Sequence, residues 1–175
     1  MDHFQGFCSS DRCQLPQSGQ EVIELIRKQT DKPIKYIFDT HHHGDHADGN
    51  AIYKAIGAVP IASERTKPLF QTLGLEGFET SKKEKPDEYG SLDYKLPEVY
   101  FPRKMVFDDG EMRVELLHFG HAHTGGDAVA WLPNQGILFT GDCVVNGAFN
   151  FTGHSDTASW INVICLLYTS DAADE

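Results

Sequence analysis

Positive charge is what this chain has least of. Lys and Arg together number 15 against 26 Asp and Glu, which leaves a net charge of -11 at pH 7. Nucleic-acid backbones and anionic membranes need clustered cations on their protein partners, so neither is expected as the main partner. Long apolar runs are missing too. No stretch approaches the ~18 residues of a membrane span. The opening "MDHFQGFCSSDRCQLPQSGQ" lacks the charged-then-apolar layout of a secretory signal, so the expectation is a cytoplasmic protein, with Met1 taken as the start. Cysteine is sparse: Cys8, Cys13, Cys143 and Cys165. Cys8 and Cys13 have no second pair to complete a metal or disulfide framework, and both read as plain loop thiols. No internal repeat is visible.

What is present suits a single domain. A length of 175 residues with 40% hydrophobic content supports one real core and not two comfortable ones. "GQEVIELIRKQT" (19–30) places Val22, Ile23, Leu25 and Ile26 on one side and predicts an amphipathic helix. "IKYIFDT" (34–40) is β-branched and aromatic and predicts a buried strand. A helix over 49–57, a strand over 58–63 and a helix over 64–74, kinked near Pro68, follow. Residues 75–100 are charged and contain proline, with "SKKEKPDEYG" the most loop-like part. Two hairpins come next, one over 104–120 turning at Asp-Asp-Gly and one over 127–142 turning at Pro-Asn-Gln-Gly. Alternating strands and helices followed by paired strands suggest a mixed α/β protein whose sheet faces are covered by helices.

The densest chemistry lies in "THHHGDHADGN" (40–50), with four histidines and two aspartates in eleven residues. On an extended backbone His41 and His43 point the same way and His42 the other. A helix pairing His42 with His46 is disfavoured by Gly44 and the preceding β-run; a turn at Gly44 would instead swing Asp45 and His46 toward the same space. The pattern H-x-H-x-D-H thus has two sub-sites, His41 with His43 and Asp45 with His46. Zinc accepts imidazole and carboxylate, and neither pair is a complete ligand set. Two later loops after predicted strands can supply the rest: "HFGHAHTGGD" (118–127) and "FTGDC" (139–143).

Taken in order, "HHHGDH", "GHAHTGGDAVAWLP" and "GILFTGD" resemble the metallo-β-lactamase-fold hydrolase superfamily over residues 20–164. The resemblance implies an α+β fold, an αββα sandwich with a di-metal site at the edge between its sheets. It implies that His41, His43 and His123 hold a first Zn2+. Asp45, His46 and Asp142 would serve a second, with Asp142 bridging. The family's histidine directly before Thr or Ser favours His123 over His121, and His118 reads as a packed strand residue. Cys143 reads as buried packing, and His154 is not counted among the ligands. "SDTASW" (155–160) reads as a helix start with Ser155 or Asp156 as its cap. Phe149 and Phe151 are candidates for an apolar substrate wall.

The implied activity is hydrolysis of a small-molecule ester, thioester, lactone or amide, β-lactams included, by a metal-bound hydroxide oriented by Asp45. A mononuclear iron oxygenase acting on a persulfide would use nearly the same residues, and a non-catalytic module would keep only the fold. The sequence departs from the family at both ends. Little before Gln20 resembles the family's opening strands, no final Gly-His-Gly-like segment is seen, and "CLLYTSDAADE" leaves the preceding helical pattern. The expectation is therefore a partial domain over 19–164, between an irregular segment 1–18 and a foreign tail 165–175.

Overall fold

The computed structural model describes residues 15–147 and 149–169, so Cys8 and Cys13 lie outside the described residues. Helix α1 (Pro16–Gln29) opens with proline in its first turn, where a missing N–H costs nothing. It therefore starts earlier than the Gly19 predicted from periodicity. Ile23 is buried and Ile26 packs beside it, facing Ile34, Ile37, Tyr53 and Ala58.

Strand β1 (Tyr36–Phe38) lies within the buried strand predicted over 34–40. Ile37 turns toward α1, whereas Tyr36 and Phe38 turn toward the opposite sheet. After it come a one-turn helix α2 (Gly44–Ala47), helix α3 (Asn50–Ala55) and strand β2 (Val59–Ser63), parallel to β1. Gly44 thus begins a helical turn, where the sequence reading had only a bend. From Glu64 to Glu84 the chain stays helical through a 3-10 turn, α4 (Lys67–Leu69), a π-segment at Phe70–Gly74 and α5 (Leu75–Glu84).

The loop predicted over 75–100 is thereby corrected. It contains α5, the short helix α6 (Pro86–Tyr89) and strand β3 (Val99–Phe101), which pairs parallel to β2. Charge hid α5, because Phe78 alone is buried from it; its ring packs against Tyr89 and Tyr94 at centroid distances of 5.4 and 5.1 Å. Pro97 and Pro102 on either side hid the three-residue β3.

The second sheet is antiparallel, in the order β4 (Lys104–Asp108), β5 (Arg113–Leu117), β6 (Val129–Leu132) and β7 (Ile137–Phe139). The β4–β5 turn is closed by Asp109, whose carboxylate accepts the N–H groups of Glu111 and Met112. Between the sheets lies the main core. Phe38, Ile61 and Phe101 from the first meet Val114, Leu116, Ala130 and Leu132 from the second. On the far face of the second sheet sits α7 (Thr157–Thr169), placing Val163, Trp160 and Leu167 against Leu117 and Val129. Asp156 caps it, accepting the N–H groups of Ala158 and Ser159, as one of the two sequence candidates. Leu167 continues the buried face, so the helical pattern does not break at Cys165.

Helix, sheet, sheet, helix is the layered α+β sandwich expected from the sequence. Among the described residues no helix is long and apolar enough to cross a membrane.

Candidate metal centre

Three loops meet beyond the ends of β1, β5 and β7. The first leaves β1 and carries His41, His42 and His43 on extended or bent backbone into α2. The second holds His123 in a turn organised by Asp127. That carboxylate accepts the Thr124 hydroxyl at 2.6 Å, the Thr124 N–H at 2.8 Å and the Ala122 N–H at 3.3 Å. The Gly126 carbonyl accepts from Ser63 and Thr66, both at 2.6 Å, and so ties this turn to the end of β2. No side chain fits there, since a Cβ on Gly126 would sit 2.5 Å from Thr66 Cα.

The third loop brings in Asp142. Gly141 adopts φ +51 and passes so close to Thr40 that a Cβ would lie 2.7 Å from its Oγ1. Glycine is required on both counts. Asn150 donates its amide to the Asp142 carbonyl at 2.7 Å and fixes the loop from the other side.

The resulting geometry brings most of the predicted residues together. His43 Nδ1 stands 3.0 Å from His41 Nε2 and 2.9 Å from His123 Nε2. His41, His46 and Asp142 form a neighbouring group, its ligand atoms within 4.8 Å of one another. Asp142 turns one oxygen to His46 Nε2 at 3.3 Å and the other to His123 Nε2 at 3.4 Å, facing both groups at once. Asp45 is beside them rather than among them, 3.6 Å from His46 and partly exposed.

These atoms suit a cation. Thr40 Oγ1 contacts both His41 Nδ1 at 3.1 Å and His46 Nδ1 at 3.2 Å. A hydroxyl oxygen can accept two N–H groups, and the tautomers that let it do so leave a lone pair on each Nε2. Burial first, then the neighbouring imidazoles, holds His41 well below the ordinary histidine range and lowers His43 to about 3. Burial also lowers His123. Neutral imidazoles converge where there are too few protons to link them. For Asp142 burial pushes the carboxyl pKa up, but the hydrogen bond from His46 and the neighbouring imidazoles that face it outweigh this and leave it lowered. Zinc held by nitrogen at about 2.0–2.1 Å spaces tetrahedral ligand atoms roughly 3.3 Å apart, close to the separations seen. The donor set fits a metal ion.

The other histidines sort differently. His121 Nε2 contacts the His154 carbonyl at 2.9 Å and, among the described residues, takes no part in the groups that could hold a metal, while His118 Nδ1 meets the Asp127 carbonyl at 2.6 Å. Cys143 is buried beneath Val163 and Trp160, and the Trp160 indole N–H donates to its carbonyl. Two residues carry more than the sequence reading gave them. Thr40 orients two imidazoles, a role that only the fold reveals. His154 returns to within 2.9 Å of His43 Nε2, although 111 residues separate them.

A cavity of about 370 Å³ opens onto the groups, lined by His123, Asp45 and Asp142 together with the apolar Val145, Phe149 and Phe151. Both phenylalanines are exposed.

Comparison with known proteins agrees with this fold. Residues 14–165 match a family model described as the metallo-beta-lactamase superfamily. The chain is 28% identical over 129 residues to a metallo-beta-lactamase type 2 of Bacillus cereus, covering 74% of this chain and 43% of that protein. It is 29% identical over 121 residues to a hydroxyacylglutathione hydrolase of Brucella anthropi, covering 69% of this chain and 37% of that one. A solved metallo-beta-lactamase from Pontibacter korlensis superposes with a TM-score of 0.68 at 25% identity, over 86% of this chain and 63% of its own. The chain therefore spans less than half the length of these two curated relatives.

Proposed function

The chain belongs to the metallo-beta-lactamase superfamily, and from that premise we propose that it serves a zinc-dependent hydrolase acting on a small ester, thioester, lactone or amide. This reading rests on one observation above others: two ligand groups, His41/His43/His123 and His41/His46/Asp142, adjoin a single cavity. Relatives named as a beta-lactamase and as a hydroxyacylglutathione hydrolase support a small-molecule substrate.

His41, His43 and His123 would hold one zinc ion. His46 and Asp142 would serve the other, with Asp45 at its side, 3.6 Å from His46, and Asp142 reaching both groups. When bound, the metal would lower the pKa of water toward ~7 and polarise the substrate carbonyl. The protein's own residues supply the rest. Asp45 stands at the cavity, its carboxyl pKa raised by burial against the opposing pull of His46. From there it orients the attacking water and can carry a proton on its carboxylate to the leaving group. Phe149 and Phe151 offer an apolar wall that seats the substrate and limits water around the reacting carbonyl.

A screen of thioester, lactone, β-lactam and phosphodiester substrates, with metal analysis of the same samples, tests the reading. Asp45→Asn is expected to lower kcat/KM by about 10²–10⁴-fold, and His41→Ala to remove activity together with bound zinc. Wild-type rates from both variants would refute the assignment. Stoichiometric iron with no zinc would replace hydrolysis by oxygen chemistry.

A further inference from the structure

His43 has two ring nitrogens, and the centre described above uses only Nδ1. Its Nε2 lies 2.9 Å from His154 Nδ1. His42 completes the group, with its ring centroid 4.6 Å from that of His43 and 5.4 Å from that of His154. One ligand atom from each of the three lies within 4.8 Å of the others.

His42 is the informative member. It is only 2% exposed, and among the described residues neither of its ring nitrogens has a hydrogen-bond partner. Buried polar side-chain atoms are nearly always satisfied, so an imidazole bare at both nitrogens calls for an unseen partner. The loop bearing His154 is also held in place. The His154 carbonyl contacts His121 Nε2 at 2.9 Å, and the Asp156 N–H donates to the Ala122 carbonyl at 3.1 Å.

We propose that His42, His43 and His154 form an additional site for a divalent transition cation, adjoining the first centre through the shared ring of His43. Three imidazoles suit Zn2+, Ni2+ or Cu2+ and do not suit Mg2+ or Ca2+. Beside an occupied first centre, His43 would offer the cation its remaining ring nitrogen, Nε2, together with the His42 and His154 rings. Because His43 and His154 line the substrate cavity, a cation there narrows it, and excess metal restrains whatever chemistry the cavity performs.

The test is stoichiometry. The full chain is dialysed against Zn2+ buffers of rising free concentration and bound zinc is measured by atomic emission. Wild type is expected to take up one more equivalent than His154→Ala, the variant weakening that equivalent by at least about tenfold, while the tighter zinc remains. His42→Asn is expected to show the same loss, and His154→Ala, altering a partly exposed loop, remains decisive should the buried His42 variant misfold. Identical zinc content and midpoints in wild type and His154→Ala would overturn the proposal. The hydrolytic reading stands apart: loss of one equivalent from a chain without hydrolase activity supports the site, and unchanged stoichiometry in an active hydrolase overturns it.

Discussion

Thr40 does for the centre what no ligand does for itself. Its single hydroxyl oxygen faces the Nδ1 atoms of His41 and His46, and thereby decides which nitrogen of each ring is left for a cation. Partners of this kind are worth about 10–100-fold in metal affinity. Thr40→Val, nearly the same shape without the acceptor, is expected to weaken zinc binding by about that factor in a competition with a chromogenic chelator. An unchanged affinity would show that packing alone sets the ring orientations. At this scale the sequence was informative about side chains close together along the chain. Spacing paired His41 with His43 and Asp45 with His46, and the family's histidine before Thr or Ser favoured His123 over His121. His154 was set aside because nothing in its spacing shows that its loop returns to His43 across 111 residues, and Thr40, one residue from His41 and six from His46, gains its role only from the helical turn that folds His46 back over it.

Among the elements, α7 couples the second sheet to the loop of Asp142. Its cap, Asp156, satisfies two N–H groups, and four residues on Trp160 donates to the Cys143 carbonyl at 2.9 Å. Asp156→Ala is expected to cost about 0.5–2 kcal/mol in urea unfolding, and Asp156→Asn much less. Equal losses from both would point to charge and not to the cap. The hairpins were legible from their turn residues and β1 from its β-branched and aromatic run. By contrast α5 buries only Phe78 among its charged residues, so it has no stripe to read. Strand β3 is three residues long and enclosed by prolines, and gains its identity from pairing with β2. Tertiary contact made these elements, and local preference did not announce them.

For the whole molecule, the order of elements was enough to anticipate sheet faces covered by helices, since each apolar face needs a neighbour, and the two-sheet sandwich came from the family resemblance. The site's dependence on that layering was less visible. His41, His43 and His46 leave the parallel sheet, while His123 and Asp142 leave the antiparallel one. Metal present at a hundred times its dissociation constant stabilises the folded state by about 2.7 kcal/mol, which for a chain of this size raises Tm by about 5–10 °C. Thermal unfolding with zinc and with a chelator measures this, and coincident curves would deny that the centre grips a cation. The ligands' two origins give the shift a direction. An ion held from both sides acts as a rivet through the sandwich, so its withdrawal should let the two leaves breathe apart at that edge, and backbone amides there should exchange sooner than those at the far end.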